Sequence, residues 1–185
     1  MKAANIITLI RIAIVPLFVA AWYFCPWYVA FILFILASAT DKLDGYIARH
    51  YNQVTNFGKF IDPLADKLLI TAALMLLVGG GVVGAIPAMI IIAREFIVTS
   101  LRVVAMSEGR VLAASVSGKI KMVVQVVGLA ALLVEPWFGL NGTVGSIAVV
   151  GTVTVNTIIV WVVTLVTLWS GAEYLMGNRD VINSF

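Results

Sequence analysis

From Ile12 to Thr40 the chain runs for 29 residues without a charged side chain. At about 1.5 Å per residue a single helix of that length would rise about 43 Å, well past the hydrocarbon thickness of a bilayer. Pro26 lies near the middle of the run, lacks an amide donor, and divides it into two helices. Barrel strands are excluded, because they need short segments of alternating polarity and these runs are continuous. Composition agrees: 62% of the 185 residues are hydrophobic and 11% charged, whereas an ordinary soluble domain carries about 25% charged residues. Mean hydropathy is +1.09. The inventory cannot cover a water-facing surface and points to an all-α polytopic membrane bundle.

Six spans are expected, at about 5–24, 27–49, 57–78, 83–106, 113–134 and 146–174, in one domain over residues 1–185. Gly79, Gly80 and Gly81 close the third, and Pro136 with the Gly139-Leu140-Asn141-Gly142 turn separates the last two. The connections near residues 25, 80 and 140 contain no Lys or Arg, while Lys2, Arg49, Lys59, Arg110, Lys119, Lys121 and Arg179 fall at the termini and the other two connections. The positive-inside rule then places both termini in the cytoplasm. It also accounts for the basic balance of +3, so no nucleic-acid partner is expected. Lys2 before an apolar stretch superficially resembles a signal peptide, but Arg11 interrupts it and the apolar run continues, so it reads as a retained first span. Without a targeting presequence, a bacterial inner membrane is the expected location.

This topology puts Arg11, Asp41, Lys42, Asp44, Asp62, Asp66, Lys67, Arg94, Glu95 and Arg102 in the cytoplasmic halves of four spans. Each costs roughly 2.5–3.5 kcal/mol on insertion scales, so a shared depth implies a shared hydrated cavity. An ion or proton pathway is one reading. It would need polar groups continuing to the far side, where the spans are uncharged. The sixth span carries no charge before Glu173 and reads as scaffold.

At about 100° per residue, Asp41, Asp44, Gly45 and Ala48 share one helix face, with Arg49 at its edge, and Gly58, Asp62 and Asp66 share a face of the next helix. Four carboxylates this close raise one another's pKa unless countercharge is supplied, and a pair of divalent cations supplies it. One cysteine, Cys25, and one histidine, His50, leave no zinc ligand set. All-oxygen donors favour Mg²⁺ or Mn²⁺, and two such ions suit a diphosphate. Gly45, Ala48 and Gly58 leave room for a nucleotide base, and Arg49 can fork onto a phosphate. Taken alone, Asp62 before Pro63 also fits a helix N-cap followed by a first-turn proline.

The string Asp41-x2-Asp44-Gly45-x2-Ala48-Arg49-x8-Gly58-x3-Asp62-x3-Asp66 resembles, without departure, the signature of the CDP-alcohol phosphotransferases. The resemblance implies a six-helix fold, a homodimer, and a dinuclear metal site holding the diphosphate of a CDP-linked lipid. It implies that Asp41, Asp44, Asp62 and Asp66 hold the metals and that Asp66 is the base that deprotonates the acceptor. Gly45, Ala48, Arg49 and Gly58 would then line the cytidine and diphosphate pocket.

Arg94, Arg102, Arg110, Lys119 and Lys121 gather on the fourth and fifth spans and their connection. Such a basic pocket suits an acceptor carrying its own phosphate, although Arg110, Lys119 and Lys121 also satisfy the positive-inside rule. The stretches Asn5–Arg11, Asp62–Lys67, Arg94–Thr99 and Gly118–Lys121 are similar to those of bacterial family members that act on glycerol-3-phosphate. That similarity implies CDP-diacylglycerol and glycerol-3-phosphate as substrates. Inositol phosphate, inositol or serine are the alternative acceptors.

Overall fold

The computed structural model describes the backbone of residues 3–50, 56–107, 115–134 and 155–179, and side chains within 9–40, 67–106, 115–134 and 155–179. Six helices and no strands occur among the described residues: α1 Ala3–Phe24, α2 Trp27–His50, α3 Asn56–Gly79, α4 Ala85–Ser107, α5 Val116–Val134 and α6 Val155–Gly177. By length and hydropathy α5 and α6 are apolar enough to cross a membrane; Leu9–Phe24, Trp27–Thr40 and Lys67–Gly79 are shorter apolar helical stretches.

The boundaries follow local chemistry. Pro26 breaks α1 from α2, and its carbonyl accepts the Val29 amide at 3.0 Å in the first turn of α2. Pro16 stays inside α1. The end of α3 is tied off by Gly81 in the left-handed region (φ 73°), with the Val82 and Val83 amides both returning to the Leu77 carbonyl at 2.9 and 3.2 Å. That wrap occupies residues 80–84, so α4 starts at Ala85, two residues later than the sequence suggests. Ser115 caps α5, its hydroxyl accepting the Gly118 amide at 3.1 Å, so α5 starts at Val116 and not at 113. α6 runs three residues past its expected end, to Gly177, and the Asn178 side chain closes it by donating to the Tyr174 carbonyl at 2.7 Å. Residues 146–154 of the expected sixth span lie outside the described residues.

α1 packs on α2 and α3, α4 on α6, and α5 on α6, with α2, α3 and α5 meeting in the middle. Phe18 and Phe34 meet at 5.9 Å between ring centroids, and both are fully buried with Ala37, Ala73, Leu77, Ile91 and Leu129. α5 and α6 approach closely at Gly128, where a Cβ would lie 2.5 Å from a Val163 methyl. Among the described residues many large apolar side chains face outward: Leu17, Ile86, Met89, Leu165 and Trp169 are all at least half exposed. A surface of this kind seeks lipid or protein, not water.

Candidate functional site

Asp41, Asp44, Gly45, Ala48 and Arg49 lie in the last turns of α2, and Gly58, Asp62 and Asp66 in the first half of α3. The two helices are in contact. The backbone therefore carries the whole motif on the ends of two neighbouring helices joined by a short connection. The side chains of these eight residues are outside the described residues. Arg110 lies outside as well.

The cationic residues on α4 and α5 are described in full. A cavity of about 200 Å³ is lined by Lys67, Arg94, Glu95, Arg102, Lys119 and Lys121, with Val98, Thr99, Gly118 and Met122 completing the wall. Lys67 directly follows Asp66 on α3, so the cavity begins one residue along the chain from the fourth aspartate.

Glu95 organises the inner part of this wall. Its carboxylate bonds Lys121, meets Arg94 at 3.2 Å and faces Lys67 at 3.8 Å. Three helices are thereby tied through one acid. At side-chain exposures of 8–14% none of these charges has full access to water. A carboxylate so placed keeps three cations together that would otherwise repel, and leaves a net positive cavity.

The other support comes from α6. Ser170 accepts from an Arg94 terminal nitrogen at 2.9 Å, and the Tyr174 hydroxyl accepts from Arg102 Nε at 3.0 Å. The Arg102 guanidinium carbon lies 5.0 Å from the Tyr174 ring centroid. Gly171 makes room for the arginine stem, since a Cβ there would sit 2.9 Å from Arg94 Cγ. The helix that reads as scaffold thus holds both arginines of α4. Its signal was present in the sequence: Thr164, Thr167, Ser170, Gly171 and Tyr174 recur at helical spacing in an otherwise apolar run, and all five are buried.

A second, larger groove of about 510 Å³ is almost wholly apolar, lined by Ile35, Ser38 and Ala39 of α2 and Met122, Val123, Val126 and Val127 of α5. Met122 belongs to both spaces. Ala39 lies two residues before Asp41. An apolar groove and a cationic cavity therefore converge beside the helix ends that carry the aspartates.

The donor set of the motif is fit for hard divalent cations: four carboxylates on two adjoining helix ends, with no thiolate or imidazole in the motif. Among the described residues no other group of acids, histidines or cysteines could hold a metal ion.

Comparison with known proteins extends this picture to nearly the full chain. A protein of Bacillus subtilis (strain 168) named CDP-diacylglycerol–glycerol-3-phosphate 3-phosphatidyltransferase is 39% identical, over 97% of this chain and 96% of its own length. Proteins of the same name from Rickettsia felis and Escherichia coli (strain K12) are 36% and 34% identical, over 92% and 95% of this chain and 91% and 93% of theirs. The family model for CDP-alcohol phosphatidyltransferase matches residues 1–173, taking in every helix up to the Ser170 turn that holds Arg94. With the motif, the helix order and this match in agreement, the chain belongs to the CDP-alcohol phosphatidyltransferase family.

Proposed function

We propose that this chain transfers the phosphatidyl group of CDP-diacylglycerol to the primary hydroxyl of glycerol-3-phosphate, giving phosphatidylglycerophosphate and CMP. The observation that carries the reading is the cationic cavity lined by Lys67, Arg94, Arg102, Lys119 and Lys121 beside the aspartate-bearing start of α3. An acceptor with its own phosphate has a place to bind there, and an uncharged alcohol would leave the cations unused. The names of the relatives support the same pair of substrates.

Asp41, Asp44, Asp62 and Asp66 are the residues that would hold two divalent cations, Mg²⁺ or Mn²⁺. When bound, these ions supply positive charge to the diphosphate and to the departing CMP. Gly45, Ala48 and Gly58 leave space for the cytidine, and Arg49 forks onto the diphosphate. Arg94, Arg102, Lys119 and Lys121, with Arg110 from the adjoining connection, draw in and orient the acceptor phosphate. Asp66 takes the proton of the acceptor hydroxyl as its oxygen bonds to the β-phosphorus. The bond from that phosphorus to the oxygen of CMP breaks, and CMP leaves with the electron pair. The apolar groove between α2 and α5 gives the donor acyl chains a surface that meets the cavity at Met122.

We read all six helices as spanning a bilayer, with both termini and the site on the cytoplasmic side of a bacterial inner membrane. The apolar exterior and the uncharged connections near 25, 80 and 140 support this. The resemblance adds a homodimer, for which sizing in detergent is the check.

The test is CMP release by the purified protein with CDP-diacylglycerol, Mg²⁺ or Mn²⁺, and glycerol-3-phosphate, inositol phosphate, inositol or serine in turn. Release with glycerol-3-phosphate, abolished by chelation and restored by either metal, is the expected result. Release with another alcohol instead would replace the acceptor, and release unaffected by chelation would remove the metals.

A further inference from the structure

The two arginines of the cavity are held differently. Arg94 has both terminal nitrogens engaged, one with Glu95 at 3.2 Å and one with Ser170 at 2.9 Å. Its guanidinium is built into the wall. Arg102 is bonded to described residues only through Nε, which donates to the Tyr174 hydroxyl at 3.0 Å, and it lines the cavity. Held from the Nε edge, a guanidinium presents its two terminal nitrogens together on the opposite side, in the fork that matches two oxygens of a phosphate.

Tyr174 is suited to act as a fixed backstop. It is 3% exposed, its ring lies 5.0 Å from the guanidinium carbon, and its carbonyl is tied by Asn178 at 2.7 Å. It does not line the cavity, so any effect it has on the acceptor passes through Arg102.

We propose that Tyr174 of α6 is a positioning residue that aims Arg102 as the two-pronged holder of the acceptor phosphate, while Arg94 supplies charge from a fixed place in the wall. This rests on the reading of glycerol-3-phosphate as acceptor. It gives α6 a part in acceptor selection.

The test is Tyr174→Phe, which keeps the ring against the guanidinium and removes only the hydroxyl. CMP release is measured with purified full-length protein while glycerol-3-phosphate and CDP-diacylglycerol are varied separately. Loss of one hydrogen bond to a charged group should raise KM for glycerol-3-phosphate by about ten-fold, the low end for such a bond because the effect reaches the acceptor through Arg102. kcat and KM for CDP-diacylglycerol should stay within about two-fold, as expected when only acceptor binding is weakened. In an Arg102→Lys background, which has no fork to aim, Tyr174→Phe should add almost nothing. An unchanged KM for glycerol-3-phosphate in Tyr174→Phe overturns the assignment, and so does a full additive effect in the Arg102→Lys background. A fall in kcat with both KM values unchanged would mark a purely structural role and overturn it too. Wild-type release that ignores glycerol-3-phosphate would instead remove the acceptor reading itself, and this assignment with it.

Discussion

Replacing Glu95 with glutamine removes one negative charge from the meeting point of Lys121, Arg94 and Lys67 while preserving the shape of the side chain. At an effective dielectric of about 20, each pair near 4 Å is worth about 4 kcal/mol before desolvation is counted. Desolvation offsets most of that sum, and removing one partner of a buried pair costs about 3–5 kcal/mol in practice. The cluster borders a cavity of about 200 Å³ that lets water reach the cations, so the lower end, about 3 kcal/mol, applies. For a chain of this size that corresponds to a fall in melting temperature of about 10 °C, read by a thermal melt in detergent. An anionic acceptor should then compensate. With one more net positive charge, the cavity of the variant binds glycerol-3-phosphate more tightly, and a ligand at ten times its dissociation constant adds about 1.4 kcal/mol. The gap between variant and wild type should narrow with glycerol-3-phosphate and stay constant with glycerol. A variant as stable as wild type, or a gap that glycerol-3-phosphate leaves unchanged, refutes the view of Glu95 as the counter-charge of an acceptor-phosphate cavity.

Asp66→Asn should abolish CMP release while CDP-diacylglycerol binding persists, and turnover near the wild-type rate would remove Asp66 as the base. Arg94→Ala combined with Arg102→Ala should raise KM for glycerol-3-phosphate by more than about a hundred-fold, the loss of the Arg102 fork together with the fixed charge of Arg94; an unchanged KM points to an uncharged acceptor. Gly128→Ala sets a Cβ at 2.5 Å from Val163, a β-branched side chain with little rotamer freedom in a helix. It should cost about 1–3 kcal/mol of stability, and a melt equal to wild type would mean that α5 and α6 separate easily there.

Much of this protein was determined locally. Pro26 and the glycines at 79–81 cut the apolar runs where their backbone chemistry requires, which is why four of the helix ends near them fall within a few residues of the sequence reading. The starts of α4 and α5 moved because the Leu77 carbonyl gathers two amides of the intervening loop and Ser115 caps from outside the helix. Neither choice is visible in hydropathy. The motif from Asp41 to Asp66 was legible as a pattern because its spacing is helical and spans two consecutive helices, which chain connectivity keeps as neighbours. The polar stripe of α6 was legible from its helical spacing, but its partners were not, since Ser170 and Tyr174 stand 76 and 72 residues from the arginines they hold. Sequence set which segments become helices and which carry charge, because those depend on neighbouring residues. Tertiary packing decided that α6 lies alongside α4 and that Glu95 joins three helices, because a buried charge takes its partner from whichever helix folds against it.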